Sequence, residues 1–154
     1  MRRLSLLASG VFLLVLGTSC SSDDDNGSVN NGNVNQIINT AKAGTWRITT
    51  FSEEGNDETG HFTGYSFTFN DNSVLTATNG SNTHTGTWSV TTSDSNDDDN
   101  SESDINFNIG FVSPEEFNDL SDDWDIIEYS SSVIKLIDVS GGNGGTDYLT
   151  FEKN

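Results

Sequence analysis

Short runs of alternating apolar and polar residues fill most of the chain from residue 45 onward, and they constrain its fold more than any other feature. Alternation with a period of two is typical of half-buried β-strands, which turn one face to a core and the other to water. Turn-forming residues separate the runs, so we predict an all-β domain of eight short antiparallel strands. The predicted strands cover residues 45–51, 61–69, 74–78, 83–91, 105–109, 124–129, 133–138 and 148–153.

Two short helices are predicted beside the strands. Apolar residues at helical spacing, from Val34 to Ala41, predict a first helix that Asn33 caps. Ser113 and Glu116 have the spacing of a capping box, with the only proline of the chain between them at the first helical position. The first helix would precede the strands, and the second would follow the fifth strand.

Eight short antiparallel strands can close into a barrel or pack as a sandwich of two sheets, and the periodicity does not distinguish these folds. Gly44 and Trp46 begin the first strand as a Gly-x-Trp sequence after a short helix, which resembles the lipocalin-like barrels. Residues 44–154, including 120–124 and 141–145, resemble small lipocalin-like lipoproteins of Bacteroidota, which are mostly of unknown function.

This resemblance implies an eight-stranded antiparallel barrel with a short N-terminal helix. Gly44 would admit the backbone at the crowded barrel floor, and Trp46 would plug that end beneath the lumen. Lipocalins also carry a late Arg that packs on this Trp. That Arg has no counterpart here, because Arg47 is the last Arg of the chain.

Residues 1–19 have the pattern of a secretory signal. Arg2 and Arg3 form a positive start, and the apolar run that continues to Leu16 would be about 20 Å long as a helix. Because the hydrocarbon core of a bilayer is ~30 Å thick, we interpret the segment as a cleaved signal peptide. The small residues before Cys20 resemble the lipobox of bacterial lipoproteins, which implies that Cys20 carries a lipid anchor. An ordinary secretory signal followed by an unrelated Cys is the alternative.

Residues 20–33 are rich in Asp, Asn, Gly and Ser, and they predict a flexible tether between the anchor and a folded domain at residues 34–154. The acidic cluster at residues 23–25, just behind the Cys, resembles the surface-export signal of Bacteroidota lipoproteins. It implies an outer-membrane lipoprotein exposed at the cell surface. The alternative is a solvated spacer that leaves the domain in the periplasm.

The charge of the chain excludes several partners. The sequence has 6 Lys and Arg against 24 Asp and Glu, a formal net charge of −18. Binding to nucleic acid or to an anionic lipid surface depends on clustered Lys and Arg, so neither partner is expected apart from the membrane contact of the anchor. A single Cys also excludes a disulfide within the chain.

The candidate catalytic and zinc-binding residues are few. His61 and His84 are the only histidines, and both lie at polar strand starts where we expect them to be exposed. No spacing of His or Cys supports a zinc site. Adjacent acids such as Glu53 and Glu54 are expected by chance among so many carboxylates. We therefore predict that the protein is not an enzyme.

Calcium is a better metal candidate than zinc. Asp97, Asp98 and Asp99 lie in an acidic loop, and hard cations prefer clustered oxygen ligands. The spacing does not match an EF-hand, and a solvated acidic loop is the alternative. No other cofactor is predicted.

The aromatic residues determine what a barrel could bind. A small pocket at the open end could place Tyr65 or Trp88 against a small hydrophobic or glycan ligand. A barrel filled by its own side chains would instead suit a structural or interaction role in a cell-surface complex. The residues predicted to face inward are Trp46, Tyr65, Phe67, Phe69, Trp88, Ile105, Phe107, Ile134, Leu136, Leu149 and Phe151.

Overall fold

The computed structural model describes residues 29–92, 105–140 and 145–154. Within these ranges the chain forms mainly strands, with two α-helices and one 3-10 helix. The helices are α1 (Val29–Lys42), the 3-10 helix (Thr59–Phe62) and α2 (Glu115–Asn118). The strands are β1 (Trp46–Glu53), β2 (Asn56–Asp57), β3 (Ser66–Phe69), β4 (Val74–Thr78), β5 (Thr83–Thr92), β6 (Ile105–Gly110), β7 (Asp122–Tyr129), β8 (Val133–Val139) and β9 (Thr146–Lys153).

Eight of these strands form a closed antiparallel barrel, as predicted. Each strand from β3 to β9 pairs with its neighbour in the chain, and β1 closes the barrel by pairing with both β3 and β9. The β1–β9 pairing is long, whereas β1 meets β3 only at Trp46 and Phe67. The two-residue strand β2 extends beside the end of β1 and is not part of the barrel wall. Because β1 pairs on both sides, the sandwich alternative is wrong.

The barrel interior is filled with apolar side chains. Of the residues predicted to face inward, all are buried except Tyr65 and Ile105, which are half-buried. In the described part of the chain no polar or charged residue is buried. The largest fully buried side chains are Trp46, Trp124, Phe51, Phe62, Phe67, Phe69, Phe107, Phe151, Ile37, Leu75, Leu120 and Ile134.

Helix α1 covers one end of the barrel with the apolar face that its sequence predicts. Ile37 and Ala41 are buried on that face. The indole Nε1 of Trp46 donates a hydrogen bond of 2.8 Å to the carbonyl oxygen of Ala41. This contact joins the last turn of α1 to the first residue of β1 and fixes the helix over the barrel end.

The predicted start of α1 is wrong. The helix begins at Val29, so Asn33 lies within it and residues 29–33 of the predicted tether are helical. The apolar face begins at Val34, whereas the backbone hydrogen bonds begin about one turn earlier. Side-chain periodicity marks where burial starts, and it gives no signal for a polar first turn.

The predicted strand at residues 61–69 is wrong in its first half. His61 and Phe62 belong to the 3-10 helix, whose first residue, Thr59, is hydrogen-bonded to the preceding strands β1 and β2. The Thr59 hydroxyl accepts a 2.8 Å hydrogen bond from the Phe51 amide, and the Thr59 amide donates to Asp57 Oδ1 at 3.0 Å. Gly64 has φ +83° in the turn before β3, a backbone conformation that favours glycine.

The predicted capping box is absent. Pro114 precedes the one-turn helix α2 in an extended conformation, and no side chain caps the helix. The helix nevertheless packs on the core, since Phe117 and Leu120 are buried. This turn therefore owes its position to apolar burial rather than to a capping hydrogen bond.

Strands β4 and β5 are joined by a tight hairpin turn at Asn79-Gly80. Gly80 has φ +86°, and Asn79 Oδ1 accepts hydrogen bonds from the amides of Ser81 and Asn82. The turn joins β4 to β5 at the barrel end away from α1, because β5 runs from there to Val90, which lies near α1. No helix among the described residues has the length and apolar character needed to span a bilayer.

Candidate functional site

A surface groove of about 390 Å³ lies at the barrel end away from α1, and we call it the mouth groove. The 3-10 helix, the start of β3, the β4–β5 hairpin and α2 surround it. Its lining residues are His61, Tyr65, Asn82, His84, Pro114, Glu116 and Phe117. The groove thus combines aromatic rings with amide, imidazole and carboxylate groups.

Tyr65 and His84 form the centre of the mouth groove. The Tyr65 hydroxyl and His84 Nε2 are 3.2 Å apart, at hydrogen-bond distance. The ring of Phe117 lies under both residues, with its centroid 4.5 Å from that of His84 and 5.0 Å from that of Tyr65. Tyr65 and His84 are half-buried, so each keeps one surface open to a ligand.

Two buried phenylalanines close the mouth beneath the groove. Phe62 comes from the 3-10 helix and Phe117 from α2, and their ring centroids are 5.3 Å apart in an edge-to-face contact. Phe62 also contacts Phe51 and Phe67 inside the barrel, at 5.5 and 6.3 Å. The two outer elements therefore insert one ring each into the barrel, and the groove ends on these rings.

A glycine on β5 makes room for a third ring at the mouth. Gly86 faces inward with His84 and Trp88, and a Cβ atom there would overlap the carbonyl oxygen of Gly110 and the ring of Phe111. Phe111 in turn lies 5.2 Å from Phe117, centroid to centroid. The missing side chain at Gly86 lets this cluster of rings pack against the strand.

Acidic residues lie beside the mouth and repel one another. Partial burial raises the pKa of Glu53, and the nearby carboxylates of Asp119 and Asp147 raise it further. Burial also raises the pKa of Asp122. His61 lies on this side of the groove as well, with Nδ1 3.5 Å from the Glu58 carboxylate. The local charge disfavours an anionic ligand at the mouth.

Trp88, the other residue predicted to contact a ligand, lies deeper in the barrel. It is 6 % exposed, its Nε1 donates to the Asn70 carbonyl oxygen at 2.9 Å, and its ring stacks on Phe107 at 5.9 Å. It does not line the mouth groove, so the structure does not bring Tyr65 and Trp88 together in one site.

The Gly-x-Trp residues lie at the opposite end of the barrel. Trp46 is fully buried there. A Cβ atom on Gly44 would lie 2.7 Å from Cε of Lys153, the last residue of β9. Gly44 thus makes room for a side chain that covers the end of the barrel.

The other predicted site residues lie outside the described residues. Cys20 and the acidic loop that contains Asp97, Asp98 and Asp99 belong to the segments that are not described. In residues 29–92, 105–140 and 145–154, no three His, Cys, Asp or Glu side chains form a group that could hold a metal ion.

Sequence reasoning missed His84 as a site residue. It was expected to be exposed, yet it is half-buried and faces inward. The signal was present in the parity of β5, where His84 alternates in step with Trp88 and Val90. Nothing in the sequence indicates that Phe117 lies beneath a groove.

Comparisons with known proteins give one structural likeness. No protein-family model matches the chain, and no curated protein matches it. The crystal structure of a DUF4847 family protein from Bacteroides vulgatus is similar to it, at 18 % sequence identity and a TM-score of 0.48. That match covers 77 % of this chain and 97 % of the other. Similarity at this level says nothing about function.

Proposed function

We propose that this protein is a non-catalytic surface lipoprotein of the outer membrane whose barrel presents a binding site for a small glycan. Cys20 would carry the lipid, and the acidic segment between Cys20 and α1 would be the tether and export signal. The domain would thus resemble the small lipocalin-like lipoproteins of Bacteroidota. The mouth groove carries the binding part of the proposal.

The chemistry of the mouth groove suits a neutral sugar. Sugars offer a CH-rich face that packs on an aromatic ring and hydroxyl groups that need donors and acceptors. Tyr65 and His84 supply half-exposed rings, and Asn82 and Glu116 supply polar groups beside them. The acidic surroundings favour an uncharged ligand over an anionic one.

The filled interior supports a ligand outside the barrel rather than within it. In a ligand-carrying barrel of eight strands, an apolar molecule occupies the space between the walls. Here Phe51, Phe62 and Phe117 occupy the mouth side of that space, and the ring of Phe62 contacts the rings of both Phe51 and Phe117. A hydrophobic ligand would have to displace them, whereas a sugar at the mouth groove would not.

A glycan array with labelled full chain tests the binding proposal. We expect Tyr65→Ala to weaken binding at least about tenfold, because it removes the ring and the hydroxyl that contacts His84. Tyr148→Ala is the matched control, since Tyr148 is 44 % exposed on the outer wall. Cooperative unfolding would first establish that both variants fold. Equal glycan binding by all three proteins, or none by the wild type, would exclude the proposal.

The anchor is tested separately by the mass of the protein recovered from cell membranes. We expect wild-type chain to begin at Cys20 with a covalent lipid, and Cys20→Ala to lack it, whereas Ser22→Ala retains it.

Protease treatment of intact cells then tests surface exposure. Changing the acids at residues 23–25 to Asn should protect the domain from the protease, and the same change at residues 97–99 should not.

A structural or interaction role in a cell-surface complex is the second candidate function, and one observation favours it. Val139 and Tyr148 are 62 % and 44 % exposed, and they share the outer face of the β8–β9 pair. Ile127 on β7 is 55 % exposed. A photo-crosslinker in place of Val139 should capture a defined partner in cells, whereas one in place of exposed Thr85 on β5 should not.

A further inference from the structure

A second groove lies at the opposite end of the barrel, between α1 and the β7–β8 turn. Its volume is about 450 Å³, and we call it the helix groove. The side chains that line it come mainly from one face of α1, with Ser131 and Lys153 opposite. The lining residues are Asn35, Gln36, Asn39, Thr40, Ala43, Ser131 and Lys153.

The helix groove has no acidic lining residue, although the chain carries 24 Asp and Glu. It also contains the only Lys or Arg of the described residues that makes no ion pair. The other three pair with carboxylates: Lys42 with Asp71, Arg47 with Glu152 and Lys135 with Glu128. Lys153 instead lies against the ring of Trp46, with Nζ 5.8 Å from its centroid.

We propose that the helix groove binds a small ligand that combines one oxyanion with several hydroxyl groups. Lys153 would pair with the oxyanion, and the side chains of Asn35, Asn39 and Thr40 would bind the hydroxyl groups. An acidic sugar has this chemistry, and so does the phosphorylated polyol of a lipid headgroup. This proposal does not depend on the glycan site at the mouth, because the two grooves share no lining residue.

The physical basis is the contrast between the groove and the rest of the surface. At physiological salt, charges separated by more than about 8 Å are largely screened, so the negative charge of the whole chain acts weakly on a bound anion. Hydrogen bonds from an ammonium group or an amide N–H are stronger when the acceptor is an ionised oxyanion than when it is neutral. Among the described residues, only this groove offers an oxyanion a Lys that makes no ion pair and a lining without a carboxylate.

Calorimetric titration of the full chain in detergent tests the proposal with trigalacturonate, glycerophosphoinositol and maltotriose. We expect trigalacturonate or glycerophosphoinositol to bind, and the uncharged maltotriose to bind at least about tenfold more weakly. Binding of trigalacturonate would identify an acidic sugar as the source, and binding of glycerophosphoinositol alone would identify a lipid headgroup. Failure of both anions to bind would overturn the proposal, and so would equal binding of maltotriose by the Tyr65→Ala variant, in which the mouth groove is altered.

Two substitutions on the same helix make the site assignment specific. Asn39→Asp places a carboxylate in the groove on an exposed position, and we expect it to reduce anion binding at least about tenfold. Asn33→Asp makes the same chemical change on exposed α1 surface outside the groove, and it should leave binding unchanged. If Asn39→Asp binds like wild type, the ligand is not in this groove. Tyr65→Ala should retain anion binding, which separates this result from the glycan test at the mouth.

Discussion

Lys153 lies over the indole ring of Trp46, with its Nζ 5.8 Å from the ring centroid. Lipocalins place a late Arg on the corresponding Trp, and the sequence here has no Arg after Arg47. The structure supplies a cation from the end of β9 instead, beside the β1 residue to which it is paired. A partly exposed cation over a buried indole contributes about 1 kcal/mol to stability.

Gly44→Ala should reveal how tightly this arrangement is packed. The new methyl group would lie 2.7 Å from Lys153 Cε, so it should displace the side chain and lower the free energy of unfolding by about 1 kcal/mol. In a Lys153→Ala background the same change should be neutral, or stabilising by about 0.5 kcal/mol, because Ala restricts the unfolded chain. A double-mutant cycle in urea measures this coupling, and additive effects would contradict it.

Gly86→Ala should destabilise the barrel far more than a surface glycine substitution does. Its Cβ atom would overlap the backbone of β6 and the ring of Phe111, neither of which can move freely. We expect a loss of about 2 kcal/mol or more in the free energy of unfolding. Gly60→Ala is the control, since nothing lies within 4 Å of a Cβ atom there. Equal effects of the two substitutions would show that the ring cluster is not packed as described.

Phe117→Ala should open the mouth of the barrel. Removing a buried ring with several aromatic neighbours should cost about 3 kcal/mol in urea unfolding and leave a cavity. The variant should then bind the neutral apolar dye Nile red, which the wild type should exclude. Val112→Ala, at a side chain that is 95 % exposed, is the control for both measurements. Dye binding by wild type and variant alike would mean that Phe117 does not close the barrel.

Glu53→Gln should stabilise the protein at neutral pH. Burial and neighbouring carboxylates raise the pKa of Glu53 above its ordinary value of 4.5, so the native state holds its proton more tightly than the unfolded state. Ionised Glu53 therefore lowers stability above that raised pKa, and the penalty disappears as the pH falls through 4.5. We expect a gain of about 0.5 kcal/mol at pH 7 that vanishes near pH 4.

Asp57→Asn should instead lower the free energy of unfolding at neutral pH. Hydrogen bonds from Thr59 lower the pKa of Asp57 below 3.8, so its ionised form stabilises the fold above that value and the contribution is lost as the pH falls through the lowered pKa. Thermal unfolding at several pH values compares the two variants. A Glu53→Gln variant that loses stability at pH 7 would contradict the assigned repulsion.

The sequence predicts the barrel wall well because burial there follows a simple period. The bounds of β4, Val74–Thr78, agree with the prediction, and the inward faces of β5 and β6 follow the alternation around Trp88 and Phe107. On these strands the side chain of every second residue meets the core. The local sequence pattern therefore identifies the same inward-facing residues as the tertiary packing does.

The elements that close the two barrel ends are less predictable. Phe62 is as buried as Phe67, yet it reaches the core from a 3-10 helix held by Thr59, and no periodicity marks that turn. Local periodicity also does not show which residues come together in the candidate site. Tyr65 was predicted to contact a ligand, but its contact with His84 depends on how the β3 and β5 strand starts approach across the mouth. Nonlocal geometry of this kind has no signal in a single sequence.

Native mass spectrometry of the protein released from its own cells tests most directly whether the barrel is a filled scaffold that binds its ligands outside. The measurement compares the mass of the folded chain with the mass after denaturation. A filled interior predicts that the folded chain holds no lipid, pigment or other apolar molecule by noncovalent contact. An apolar molecule that stays bound through purification and leaves only on denaturation would contradict that claim and return the ligand site to the interior.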